Sequence, residues 1–240
     1  RLHGTTPGGW TQPVGAAFRM TSGGQLGALA LFADRLGPRG QTAASDGHYY
    51  GVTYGEAFED AGSVYRMRPH GGVKTLYDFR PWPHCSRPVG RLLQASDGAL
   101  YGIGSGKPGV CAFKVQLDGQ FTLLHFFDAS QAGDTGVSPF IQAADGLLYT
   151  TSVFGGSAGL GTVLAMQLDG SVRVLHAFQG GTADGALPDT SLVEGADGGL
   201  YGATYGGGAH GLGVFYRIGR DGDFSVLHSF GYGDGLFLRV

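Results

Sequence analysis

The chain has 240 residues, 42% of them hydrophobic, 15% charged and 12% aromatic, which is the balance of a globular protein rather than a disordered one. A formal net charge of −3, from 16 basic and 19 acidic side chains, shows no basic stripe of the kind that binds nucleic acid. No apolar run approaches the ~18 residues that span a bilayer, and two cysteines are too few for a disulfide scaffold. Glycine is abundant at 47 residues without a G-X-Y period, so it is expected in turns, bulges and loops.

In chain order, the first element is Leu2-His3-Gly4-Thr5-Thr6, the opening copy of a repeated motif. The motif returns as Asp46-Gly47-His48-Tyr49-Tyr50-Gly51, as Asp97-Gly98-Ala99-Leu100-Tyr101-Gly102, as Asp145-Gly146-Leu147-Leu148-Tyr149-Thr150 and as Asp197-Gly198-Gly199-Leu200-Tyr201-Gly202. The last four are spaced by 51, 48 and 52 residues, and Tyr49 follows its counterpart in the first copy by 47. Each copy predicts four short strands. In the last, A covers 190–193, B 200–205, C 214–218 and D 224–230. Asp-Gly between apolar runs is a strong hairpin signal, because glycine accepts φ > 0. No segment sustains an i, i+3, i+4, i+7 apolar pattern, so no helix is expected.

Equivalent positions keep their chemistry. Strand C carries Phe18, Tyr65, Phe113, Leu164 and Tyr216, with an apolar residue again two positions on; that alternation is the period of a half-buried strand. Strand D ends in Phe32, Phe79, Phe127, Phe178 and Phe230, with Ala30, Tyr77, His125, His176 and His228 two positions earlier. Copies of 40–50 residues with four strands apiece are the signature of propeller blades. The expected fold is all-β: one five-bladed β-propeller over 1–240 with four-stranded antiparallel blades. Blade 1 is 236–240 plus 1–32, and the others are 41–79, 90–127, 138–178 and 190–230. The chain starts at a strand B and stops where a strand A would begin. Residues 236–240 are therefore expected to close the first blade as its inner strand, removing free sheet edges.

The pattern DG-x-LYG-x-T, a GG-rich loop, an apolar strand, a DG turn and L-H-x-F resembles the GloVer tandem-repeat family of bacterial surface or secreted proteins. Residues 198–230 and 146–178 carry it well; 101–107 lacks the GG loop. The resemblance implies an exported repeat protein and brings no catalytic motif with it. The chain does not begin with Met and shows no signal peptide, which reads as a processed or trimmed protein.

Propeller geometry puts the uniform A–B and C–D turns at one end of the blades and the variable B–C and D–A loops at the other. Function concentrates on variable loops held by a rigid scaffold, so any site is expected at the loop end. The B–C loops contribute Trp10, Gln12, Glu56, Phe58, Glu59, Asp60, Lys107 and His210. The D–A loops contribute Asp34, Arg35, Arg80, Trp82, His84, Asp134, Asp184 and Asp234. Trp10 and Trp82 are placed to stack on sugar rings or anchor a protein. Asp134, Asp184 and Asp234, 50 residues apart, read either as carboxylates around a cation or, more in keeping with the residue type, as turn caps. The recurring His125, His176 and His228 read as packing or backbone hydrogen bonding, with no zinc spacing, and Tyr50, Tyr101, Tyr149 and Tyr201 as blade packing. The glycines at 155–156 and 206–208 precede no helix and so are not phosphate loops.

The leading expectation is an exported, monomeric, non-catalytic module that binds a glycan or protein without metal or cofactor, with ligand-binding candidates Trp10, Phe58, Asp60, Trp82, Lys107, Asp134, Asp184 and Asp234. The alternative is a polysaccharide lyase or hydrolase drawing on His84, His210, Arg80, Glu56 and Glu59. A purely structural surface repeat is the third reading. Cys85 and Cys111, at one end of blade 3, are either bridged or free.

Overall fold

The computed structural model describes residues 2–6, 15–32, 37–54, 61–80, 85–106, 109–133 and 136–234. All regular structure among them is β-strand. Sheet I contains β1 (Leu2–Thr6), β2 (Gly15–Met20) and β3 (Leu26–Phe32); sheet II contains β4 (Pro38–Ala43), β5 (Tyr49–Thr53), β6 (Ser63–Met67) and β7 (Val73–Asp78). Sheet III contains β8 (Ser86–Gln94), β9 (Leu100–Ser105), β10 (Val110–Val115) and β11 (Phe121–Phe126). Sheet IV contains β12 (Ile141–Gln142), β13 (Leu148–Ser152), β14 (Thr162–Met166) and β15 (Val172–Ala177). A two-stranded sheet pairs β16 (Gly185–Ala186) with β19 (Gly206–Gly207), and sheet V contains β17 (Val193–Glu194), β18 (Leu200–Ala203), β20 (Val214–Ile218) and β21 (Phe224–Ser229).

Sheets II to V have four strands and sheet I has three, each in sequence order, as hairpin-connected meanders. Strands C and D fall where the repeat put them, but in sheet V strand A is Val193–Glu194 rather than 190–193, strand B ends at Ala203 rather than 205, and the β16–β19 pair was not expected. The expected closing strand, 236–240, lies outside the described residues. The chain divides into two compact units, Arg1–Leu123 and Leu124–Val240, with the division inside β11.

The repeat sequence explains why the sheets look alike. At the A–B turns of sheets II, III and IV one aspartate does two jobs. Asp46, Asp97 and Asp145 accept the backbone N–H two residues on (3.0, 3.1 and 3.1 Å) and the phenol of the tyrosine four residues on: Tyr50 at 2.7 Å, Tyr101 at 2.8 Å and Tyr149 at 2.6 Å. These tyrosines are thus more than packing. Burial pushes the Tyr50 phenol up to about 12, and the Asp46 carboxylate adds to the rise.

In sheets II, III and V the motif's sixth residue, a glycine, faces the strand-C ring. Gly51 pairs with Tyr65, Gly102 with Phe113 and Gly202 with Tyr216. A Cβ at Gly102 would stand 2.4 Å from the tip of the Phe113 ring, and one at Gly202 2.4 Å from the Tyr216 oxygen, so the ring lies across bare backbone. Sheet IV breaks both rules together: Thr150 replaces glycine and faces Leu164, which has no ring to accommodate.

Between sheets the contacts also repeat. Within unit 1, Phe32 packs on Tyr65 (5.0 Å between centroids), Phe79 on Phe113 (5.3 Å), and Tyr77 stacks on Phe121 at 4.0 Å. Within unit 2, Phe178 meets Tyr216 edge-on at 5.4 Å and His176 stacks on Phe224 at 4.0 Å. The phenylalanine ending strand D is therefore the ridge that enters the next sheet. The C–D turn completes the fit. Gly222, with φ 94°, would bring a Cβ to 2.9 Å from the Leu175 carbonyl of the preceding sheet; only glycine suits both the dihedral and the approach.

Candidate functional site

Within each sheet, the described starts of strand A and ends of strand B lie at the end opposite the aspartate turns. Of the residues singled out from sequence, Trp10, Gln12, Asp34, Arg35, Glu56, Phe58, Glu59, Asp60, Trp82, His84, Lys107 and Asp134 lie outside the described residues. Arg80, Asp184, His210 and Asp234 lie within them, and Arg80, Asp184 and Asp234 each have a defined local role.

In unit 2 the D–A loops are closed by one recurring device. Asp184 accepts the His176 Nε2–H (3.1 Å) and the backbone N–H groups of Gln179 (2.8 Å) and Gly185 (2.7 Å). Asp234 accepts the His228 Nε2–H (3.0 Å) and the Gly231 N–H (2.8 Å). In the loop after sheet III the acceptor is Gln131, which takes the His125 Nε2–H (2.8 Å) and the Asp128 N–H (3.1 Å). In all three cases a strand-D histidine and the N–H three residues beyond it share one side-chain oxygen. The turn-cap reading of Asp184 and Asp234 thus has its geometry. Their counterpart in the loop after sheet III is Gln131, which spacing alone had not identified. No three His, Cys, Asp or Glu side chains among the described residues form a group able to hold a metal ion.

The Gly231 N–H, with His228 next and His210 nearby, holds the Asp234 carboxyl below its usual range. His210 itself is exposed, and its ring edge stands 3.3 Å from where a Gly231 Cβ would be. The glycine loops 155–161 and 206–213 are pinned alike, the Gly156 N–H to the Ser130 carbonyl (3.1 Å) and the Gly208 N–H to the Asp184 carbonyl (2.9 Å). They are structural loops, and no helix follows either. A hollow of about 310 Å³ opens between the lead-ins of sheets IV and V; its polar groups are Ser138, Asp189 and Ser191, with Val137, Pro139 and Pro188 as apolar walls.

Unit 1 is built differently. Arg80 folds back on its own strand end, its Nη2 2.6 Å from Asp78 Oδ2 and its backbone N–H 3.0 Å from Oδ1. Cys85 and Cys111 form a disulfide joining the start of β8 to β10, which decides between the two alternatives left open by the sequence. Close by are three residues that loop-based reasoning missed, because they sit on the inner strands. Arg39, at the start of β4, holds its guanidinium over the Tyr54 ring, 4.8 Å from the centroid. Arg87 and Arg91 are on β8, and Arg91 presses against Gly40, whose Cβ would fall 2.7 Å from the Arg91 Cβ. The signal was present in the repeat: the positions of Arg39 and Arg91 are glycine, serine, threonine or proline in the other described copies.

Residues 104–238 match the family model described as the Gloeobacter/Verrucomicrobia repeat. No curated protein matches the chain. Among solved structures, a catalytically inactive histidine-to-alanine variant of virginiamycin B lyase from Staphylococcus aureus, crystallised with quinupristin, aligns at a TM-score of 0.62 and 13% identity, covering 93% of this chain and 70% of that one. A Mycobacterium tuberculosis puromycin-hydrolyzing peptidase aligns at 0.60 and 14% identity, over 95% of this chain and 35% of that one. A putative TolB from Agrobacterium tumefaciens aligns at 0.56 and 15% identity, over 94% and 81%. At such identities the likeness establishes fold alone, an all-β architecture of antiparallel sheets shared with propeller-like proteins.

Proposed function

We propose that this chain, which belongs to the Gloeobacter/Verrucomicrobia repeat family, is an exported binding module that recognises a glycan at the loop end of its sheets. In this reading its five repeats form a single five-bladed propeller. Sheet I has three strands where the other repeats have four, which leaves an inner position for 236–240. The disulfide supports export, since structural disulfides persist in oxidising compartments.

The carrying observation is how the polar groups are spent. Asp184, Asp234 and the strand-D histidines close loops, and Arg80 is paired with Asp78. Among the described residues of unit 1, guanidiniums without an ion pair stand with an aromatic ring, which suits binding better than acid–base chemistry. A glycan array probed with the full chain should give a defined set of ligands, lost in a Tyr54→Ala/Arg39→Ala variant and kept in a turn-end Asp46→Asn variant. A blank array, or loss in both variants alike, would contradict the proposal.

One observation favours a second reading, an enzyme. Exposed His210 lies beside the Asp234 carboxylate, and a structural neighbour is a lyase whose histidine-to-alanine variant is catalytically inactive. Turnover of any array ligand that is abolished by His210→Ala would establish that reading, and unchanged turnover in that variant would remove it.

A further inference from the structure

We infer that the glycan taken by unit 1 is an acidic one, whose carboxylates are held by Arg39, Arg87 and Arg91. This rests on the loop-end glycan reading and deepens it. Three observations meet here. First, the guanidiniums are unspent: Arg39 and Arg91 are exposed, Arg87 is half-buried, and none forms an ion pair among the described residues. Among the described residues four arginine–carboxylate contacts form elsewhere, at Arg80, at Arg217 and twice at Arg220, where the arginines are structural.

Second, the backbone around the three is irregular. The β4–β5 register shifts between Arg39 and Thr42, and the β8–β9 register shifts twice, between Ser86 and Val89 and between Val89 and Leu93. Gly40 and Gly90 have φ of 63° and 67°, and Arg87 itself holds φ 44°, its N–H donated to the Ala61 carbonyl at 2.8 Å. Bulges re-aim side chains out of the sheet's alternation; the positive φ of Arg87 belongs to the repeat itself, since Leu187 holds the equivalent position at φ 58° with its N–H on the Leu160 carbonyl at 2.7 Å. The inner strands of unit 2, β12 and β17, have two residues each and carry neither bulge nor arginine.

Third, the Arg39 guanidinium lies over the Tyr54 ring. A guanidinium held against a ring face by cation–π attraction keeps its N–H groups for other partners, and a guanidinium can bind a carboxylate through two parallel hydrogen bonds. Two further guanidiniums along β8 give a run of cations rather than a point, so the fitting ligand repeats its charge, as a uronic-acid chain does. An aromatic platform beside the cations suits a sugar ring better than an extended peptide.

The test is titration of the full chain with oligogalacturonate, with the same oligosaccharide as its methyl ester, and with poly-glutamate. The inference expects oligogalacturonate to bind at least tenfold more tightly than the ester, and this preference to shrink at high salt. In an Arg39→Gln/Arg91→Gln variant it should vanish, with the thermal midpoint unchanged. Arg39→Lys should keep part of the affinity, charge without the planar fork. Arg87→Asn, a residue tolerant of positive φ, tests the third cation without adding strain. Equal binding of acid and ester would overturn the inference and leave the glycan module standing. Binding of poly-glutamate as tight as the oligosaccharide would overturn the glycan assignment. Array ligands with no uronate acceptance at all would sink the inference alone, and a blank array would sink both.

Discussion

The two units run one repeat with different locks, and the contrast separates scaffold from site. In unit 2 the loop end is closed by protein groups. A histidine and an acceptor side chain tie each D–A loop, and the glycine loops are bonded to the D–A connections preceding them. The turn end is closed by Arg220, which contacts Asp145 at 2.6 Å, pairs with Glu194, and lies 5.3 Å from the Tyr149 ring centroid. In unit 1 a disulfide takes over part of the fastening, strand D offers Ala30 and Tyr77 in place of histidine, and Arg39, Arg87 and Arg91 form no ion pair among the described residues. Where the protein satisfies its own polar groups the residues are structural. Where it does not, they are available.

The largest expected effect sharpens that contrast through the disulfide. Cys85→Ser/Cys111→Ser opens a 26-residue span and should cost about 3 kcal/mol by chain entropy. Hydrogen exchange should quicken in sheets II and III while sheet V keeps its protection; uniform quickening would mean the units are not separate cooperative regions. Next is the ring-on-backbone rule. Gly102→Thr forces the new side chain into Phe113 and should cost about 2–3 kcal/mol, an overpacking penalty. The paired change Thr150→Gly/Leu164→Phe, which rewrites sheet IV in the common form, should be much better tolerated than Leu164→Phe alone. Equal midpoints for the single and paired variants would break the rule.

A smaller effect belongs to Arg220 and Asp145. Asp145→Ala removes hydrogen bonds from Tyr149, Leu147 and Arg220 and should cost about 1–2 kcal/mol after allowing for partial exposure. Burial opposes ionisation of Asp145, but the Tyr149, Leu147 and Arg220 contacts outweigh it and hold its carboxyl below the usual value. A depressed carboxylate stabilises the fold above the unfolded value near pH 4 and loses that contribution as pH falls through the lowered folded value. The wild type should therefore weaken below about pH 4 more steeply than Asp145→Ala, as measured by urea midpoints against pH. Parallel profiles would remove the linkage.

Much of the scaffold was legible in the sequence, because the same pair of residues is printed several times. Asp-Gly turns, alternating strands and the terminal phenylalanines each follow from local physics repeated at a fixed spacing, and strands C and D fall where that spacing put them. The cap role of Asp184 and Asp234 was also readable from residue type. What was not readable is what depends on exceptions. Gln131 fills the acceptor position with a different residue at a different offset, so counting 50 residues pointed to Asp134. Arg39 and Arg91 stand on strands, and attention to loops passed over them. The phenol-to-carboxylate bond at the A–B turns of sheets II, III and IV was hidden because tyrosine at a buried strand position already has a sufficient explanation in packing.

The account's central claim is that ligand binds at the loop end and the turn end only holds the sheets together. Hydrogen exchange of the full chain with and without its best array ligand tests this directly. Protection should concentrate in 37–41, 52–54 and 85–91. Protection centred on the turns at 44–48 and 95–99, with the loop end unchanged, would contradict it.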